Sequence, residues 1–186
     1  TIDGKIGMVV QENGTIGVFR FDNDGRVVVV HKEYKGSFYA SDVAILPSGK
    51  RAFVLDSNWR NNGGGIYGVK IGCDGTLSDE GMLAPSKLAR AMVLLPQNAD
   101  RSVIAAADVL ASTANTNIHL LDLNNPFKLI ASVDGFGANN AIISASAITT
   151  DGKFAIFGEN SAFSGVPNRV SIVEVLKNSL KKHKVL

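Results

Sequence analysis

Gly63, Gly65 and Gly68, in the stretch NNGGGIYG (61–68), have the G-x-G-x-x-G spacing of a turn that cradles a dinucleotide pyrophosphate. That chemistry needs a strand entering the glycines and a helix leaving them, because the helix N-terminus receives the phosphates. The apolar run AFVL (52–55) does precede them. On the other side stands IYGVKIGCDGTL, in which Ile66, Val69 and Ile71 are apolar and Asp74-Gly75 signals a turn. That pattern is strand and then turn, with no helix, so the glycines are expected to form a flexible connection and not a phosphate site.

The other residues of reactive type are scattered. Asp22-Asn23-Asp24-Gly25, with Glu33 further on, has the two ends of a calcium loop, but the valines of 27–30 read as strand and cannot wrap an ion. No metal and no cofactor is therefore expected. Neither Gly158-Glu159-Asn160-Ser161 nor Phe163-Ser164-Gly165 fits the elbow that exposes a serine nucleophile. Cys73 stands beside Asp74, whose charge disfavours a thiolate, and His119 falls in the alternating stretch NIHLLDL, as a strand residue does. No catalytic constellation is visible. Trp59-Arg60, just before the glycine run, has the composition of an interaction anchor on a loop.

The chain must hold these residues in one domain. Its 186 residues suffice for a core, and 45% hydrophobic with 19% charged residues excludes a disordered chain. A net charge of +2 argues neither for nucleic acid nor for an anionic membrane, and no apolar run approaches the ~18 residues of a membrane span. The single cysteine excludes an internal disulfide framework.

The positioning elements emerge from an internal repeat. GKIGMVVQEN (from Gly4), GKRAFVLDSN (from Gly49), ADRSVIAAAD (from Ala99) and GKFAIFGENS (from Gly152) each combine a turn, a basic residue and a short apolar strand. SDVAILPSG, RAMVLLPQNA and SASAITTDG run straight into the last three of these. Downstream come GTIGVFRFDNDGRV, GGIYGVKIGCDGTL, TNIHLLDLNNPFKL and NRVSIVEVLKN, which largely alternate apolar and polar residues as half-buried strands do. VVVVHKEY and KLIASVDGF supply a fourth strand. Each unit thus holds about four antiparallel strands in about 45–53 residues, the size of a β-propeller blade. The chain is expected to be all-β, with about four blades over residues 1–176 forming part of a larger propeller. Residues 177–186, with Lys177, Lys181, Lys182 and Lys184, are expected to be a basic C-terminal tail or linker.

Ile16, Val18, Phe19, Phe21, Asp24, Gly25 and Val27, repeated as Ile66, Val69, Ile71, Asp74, Gly75 and Leu77, resemble the blade pattern of the lactonase-type seven-bladed propeller family. That family includes the 6-phosphogluconolactonase-like proteins. Ser48-Gly49-Lys50 and Asp151-Gly152-Lys153 match the turn of the same pattern. The resemblance implies a propeller fold and offers hydrolysis of a sugar lactone as an activity. Its His-Pro-His-type motif has no counterpart, since none of His31, His119 and His183 adjoins a proline. The first expectation is therefore a binding scaffold for a protein or a small metabolite, with lactone hydrolysis as the alternative. Asp42, Arg90 and Ser144 enter the same inner strand of successive units and are the expected ligand-binding residues, while Trp59 and Arg60 form the expected interaction loop. Four units leave open flanks and strand edges, to be covered by further blades, a second chain or self-association.

Overall fold

The computed structural model describes residues 1, 4–11, 13–35, 39–57, 64–85, 89–96, 103–108, 118–123, 128–136, 142–160 and 168–186. Among them there are strands and turns but no helix, arranged in four antiparallel sheets. Sheet 1 holds β1 (Ile6–Val10), β2 (Thr15–Phe21) and β3 (Val27–Lys35). Sheet 2 holds β4 (Ala40–Ile45), β5 (Arg51–Asp56), β6 (Gly65–Ile71) and β7 (Leu77–Pro85). Sheet 3 holds β8 (Ala89–Leu94), β9 (Val103–Asp108), β10 (Ile118–Asp122) and β11 (Lys128–Val133). Sheet 4 holds β12 (Ile142–Ile148), β13 (Phe154–Asn160), β14 (Val170–Val175) and β15 (Leu180–Val185). In every sheet the spatial order follows the chain order, so each is a meander, as in the blades of a propeller.

The turns explain why the strands stop where they do. Gly25 and Gly75 adopt φ of 75° and 86°, which the hairpins β2–β3 and β6–β7 require. The carboxylates of the preceding aspartates organise the same hairpins. Asp22 Oδ1 accepts the amides of Asp24 (2.9 Å) and Arg26 (2.8 Å), and Asp74 Oδ1 accepts that of Thr76 (3.0 Å). The apparent calcium loop at Asp22 is thus a side-chain-capped turn running into β3. Between β4 and β5 the amide of Gly49 donates to the Leu46 carbonyl at 2.8 Å, and between β12 and β13 Gly152 donates to Thr149 at 2.8 Å. Sheet 1 repeats this turn, with Gly4 donating to Thr1 at 3.0 Å immediately before β1.

Two expectations need correction. Residues 180–185 are not a tail or linker: they form β15, the outer strand of sheet 4, registered on β14 from Val175↔Leu180 to Ser171↔Val185. The alternation Leu180-Lys181-Lys182-His183-Lys184-Val185 is too polar to announce a strand. On an outer edge, however, lysines discourage pairing with foreign strands. Gly65 and Gly68 do not belong to a flexible connection: they lie within β6, where the packing leaves little room for a side chain, while Gly63 lies outside the described residues. A Cβ on Gly65 would lie 2.8 Å from the Ala84 carbonyl oxygen, and one on Gly68 would lie 2.5 Å from Glu80 Oε2.

The sheets stack face to face, with the buried apolar clusters between successive sheets. Ile16 of sheet 1 packs with Ala40, Val54 and Val69 of sheet 2. Phe53, Leu55 and Ile66 of sheet 2 pack with Met92, Leu121 and Leu123, carried by sheet 3 and its β10–β11 turn. Ala91, Val93 and Ile118 of sheet 3 pack with Ile143, Ala155, Phe157 and Val173 of sheet 4. Every sheet therefore has a leading face towards the next sheet and a trailing face towards the previous one. β8 contacts both β4 and β12, and the three form the inner layer.

Candidate functional site

The inner strands share one irregularity. In sheet 2, Ala40 pairs with Asp56 and Asp42 with Leu55, which leaves Ser41 as an extra residue. In sheet 3, Ala89 pairs with Asp108 and Ala91 with Ala107, leaving Arg90. In sheet 4, Ile143 pairs with Glu159 and Ala145 with Gly158, leaving Ser144. β4, β8 and β12 thus carry a one-residue bulge at the same level, near the end where the chain enters. A bulge re-aims a side chain out of the regular alternation. At this end the described strands stop at Lys35, Asp56, Pro85, Asp108, Val133 and Asn160, and the segments that follow lie largely outside the described residues. Trp59 and Arg60 belong to the connection 57–64 and lie outside the described residues.

A cavity of about 250 Å³ opens at this end, lined by Val10, Tyr39, Ala40, Ser41, Ser57, Ile143 and Ser144. Its walls come from sheets 1, 2 and 4. The segment beside it is fastened down: Tyr39 donates its amide to Asp56 Oδ1 (3.0 Å), and Ser57 donates its amide to the Tyr39 carbonyl (2.9 Å). Ser41 Oγ reaches the Leu55 carbonyl at 3.3 Å and Ser57 Oγ the Tyr39 carbonyl at 3.4 Å, both long bonds that an incoming acceptor can replace. Ser41 and Ser144 are exposed.

Of the expected ligand-binding residues, Ser144 lines the cavity and Arg90 occupies the matching bulge of β8. Asp42 is not among the lining residues. It sits one residue beyond the bulge, between sheets, where Oδ2 accepts the Met92 amide (2.8 Å) and Oδ1 the Val43 amide (2.8 Å). Burial pushes its carboxyl above the ordinary range, against the pull of these two hydrogen bonds. From the other side Ser146 Oγ donates to the Met92 carbonyl at 2.9 Å, so the Met92 peptide is held by both neighbouring inner strands. The position aligned with Arg90 and Ser144 is Ser41, which lines the cavity together with Tyr39 and Ser57.

A second recurring feature lies beside the mouth. Asp56, Asp108 and Glu159 hold the same register at the end of the second strand in sheets 2, 3 and 4. Glu159 is buried and takes a bidentate pair from Arg169, at 2.6 and 2.9 Å. Arg169 also donates to the Phe136 carbonyl (2.7 Å) and lies over the Phe136 ring, while Ser171 Oγ donates to Gly135 (2.7 Å). Hydrogen bonding to Glu159 raises the Arg169 pKa further. This acid therefore anchors the segment arriving from sheet 3. His119 stays in its strand, with Nδ1 2.8 Å from Ser132 Oγ, and burial lowers its pKa.

No protein-family model and no curated protein matches the chain. Its fold is similar to several solved structures. One is a protein from Lactobacillus plantarum (18% identity, TM-score 0.68, covering 94% of this chain and 51% of that one). Another is a putative 6-phosphogluconolactonase from Bacteroides uniformis (16% identity, TM-score 0.67, 98% and 55%). A third is the periplasmic gluconolactonase PpgL of Pseudomonas aeruginosa (15% identity, TM-score 0.64, 100% and 55%). The chain thus spans about half the length of each of these structures. With its meander sheets stacked face to face about an inner strand layer, the chain has a β-propeller fold.

Proposed function

We propose that the cavity at the bulged end of the inner strands binds a small, hydroxyl-rich metabolite, a sugar-derived lactone or its open acid. The observation that carries this reading is the coincidence of bulges at Ser41, Arg90 and Ser144, two of which line the cavity. Tyr39, Ser41, Ser57 and Ser144 supply hydroxyls that both donate and accept, and Val10, Ala40 and Ile143 supply apolar surface for a ring face. A volume of about 250 Å³ falls just below the range for drug-sized ligands, which suits a single small molecule. Arg90 occupies the matching register position on β8, and its residue type suits a carboxylate or phosphate.

Titration calorimetry with glucono-1,5-lactone and with gluconate tests this. Saturable binding that weakens about 3- to 10-fold in Ser144→Ala, the loss of one hydrogen bond of ~0.5–1.5 kcal/mol, is the expected result. Absence of saturable binding, or affinity unchanged in both Ser144→Ala and Arg90→Ala, refutes it. The names of the similar putative 6-phosphogluconolactonase and gluconolactonase structures favour a second reading, hydrolysis of the bound lactone. Turnover of gluconolactone that disappears in Arg90→Ala supports it. Binding without turnover leaves the first reading standing alone.

A further inference from the structure

The second strands of sheets 2, 3 and 4 contain AFVLD (52–56), IAAAD (104–108) and AIFGE (155–159), an apolar run closed by an acid. Each acid lies opposite the residue that precedes the bulge on the inner strand: Asp56 opposite Ala40, Asp108 opposite Ala89 and Glu159 opposite Ile143. Asp56 is 1% and Glu159 6% exposed, and a carboxyl taken that far from water is costly unless it is hydrogen-bonded. What these two hold is the chain on its way into an inner strand. Tyr39 stands ahead of the first ladder pair of β4 and β5, so its backbone polar groups need partners from elsewhere. Asp56 Oδ1 accepts its N–H at 3.0 Å, and the Ser57 amide donates to its carbonyl at 2.9 Å, so consecutive residues grip Tyr39 from both sides. Glu159 acts at one remove, through Arg169 on the Phe136 carbonyl ahead of β12. Tyr39, Ala40, Ser41 and Ser57, four of the seven residues lining the cavity, belong to the Asp56 grip or adjoin it, whereas Asp56 is not itself among the lining residues.

From this arrangement we infer that Asp56 is the positioning residue of the cavity: without touching a ligand, it fixes where the Tyr39 and Ser57 hydroxyls and the bulge at Ser41 stand. The inference rests on the binding proposed above and names the residue that prepares the site for it. A wall ordered in advance spares the ligand the entropy of ordering it, and that saving appears as affinity. The partner of Asp56 is an uncharged amide, so what matters is an acceptor oxygen of the right reach and not its charge. Glu159 differs in this respect, because its partner Arg169 is a cation.

Calorimetry with glucono-1,5-lactone and with gluconate, on wild type, Asp56→Asn and Asp56→Ala, each alone and combined with Tyr39→Phe, tests the inference. Asp56→Asn keeps the acceptor oxygen and should bind within about 2-fold of wild type. Asp56→Ala should bind about 10-fold more weakly, the worth of one or two hydrogen bonds from a wall no longer held in place. In the Tyr39→Phe background the same substitution should cost about 3-fold or less, because part of what Asp56 positions is already gone. Amide hydrogen exchange without ligand gives a second readout. The Tyr39 amide should exchange at least about 10-fold faster in Asp56→Ala and as in wild type in Asp56→Asn, with Ile66 and Val69 of β6 unchanged in both. A general loss of stability would move those two as well. Should Asp56→Ala not fold, Asp56→Ser, whose oxygen lies one bond short of the amide, takes its place. Wild type that binds while Asp56→Ala binds equally well overturns the inference and leaves the binding proposal intact. So does a loss in Asp56→Asn equal to that in Asp56→Ala, or a Tyr39 exchange rate that Asp56→Ala leaves unchanged. Wild type that binds neither ligand refutes the binding proposal, and the positioning role falls with it.

Discussion

Replacing Asp42 separates a structural from a ligand-binding role. In Asp42→Ala the buried Met92 amide loses its acceptor at 2.8 Å. An unpaired buried donor costs about 1–3 kcal/mol. The Val43 amide is only half-buried, so water can take over that bond at little cost. Against this stands relief of the carboxylate's own burial. With the Met92 term dominant, the expected loss is about 2 kcal/mol, a fall in Tm of roughly 4–8 °C for a chain of this size. Asp42→Asn keeps an oxygen for Met92 and should lose less than about 1 kcal/mol. The two substitutions also differ from wild type in pH response. Because the folded pKa of Asp42 lies above its ordinary value near 3.8, the native state holds this proton more tightly than the unfolded chain. Its contribution to stability therefore falls as pH rises from about 3.8 through the folded pKa. Both variants should lack that component. Thermal melts followed by circular dichroism between about pH 4 and 7 provide the assay. Asp42→Ala melting with wild type at pH 7, or Asn as damaging as Ala, would refute the assignment and return Asp42 to the ligand contacts.

Two further expectations concern the other buried polar groups. Arg169→Ala strands the buried Glu159 carboxylate and releases the Phe136 segment, so it should cost about 3–5 kcal/mol in a urea titration, and pairing Glu159→Gln with Arg169→Met should recover most of that. For His119, burial depresses the folded pKa below the ordinary 6.5; the unfolded chain then binds the proton that the native state refuses, and stability drops as pH falls through about 6.5. His119→Gln should flatten that drop between about pH 7.5 and 5.5, and an unchanged urea midpoint profile would contradict it.

The fold is legible in the sequence because its determinants are local. Asp-Gly and Ser-Gly-Lys turns punctuate period-two alternation, and Gly25, Gly75, Gly49 and Gly152 all take the positive φ that such turns demand. β15 escapes that reading because its outer face is lysine-rich and its strand character comes from pairing with β14. The alignment of the inner strands differs by one residue for a similar reason. A bulge leaves no mark in alternation, so alternation aligns Asp42 with Arg90 and Ser144, whereas the register places Ser41 there. Tyr39 and Ser57 come to the cavity through hydrogen bonds between a strand end and the next connection, which no spacing encodes.

The three bulges also bear on how such a protein changes over generations. At a regular strand position such as Val54 or Phe157 a side chain is locked between two sheets, and shrinking it costs about 2–5 kcal/mol. A bulge residue has been lifted out of that lattice, and exposed substitutions away from structural contacts usually stay within about 0.5 kcal/mol. Ser41 and Ser144, both exposed, can therefore be rewritten almost independently of the scaffold. If the cavity binds as proposed, drift in those two codons alters what the mouth accepts while selection on the rest preserves the stack, so descendants of one blade array can diverge in diet without first becoming unstable.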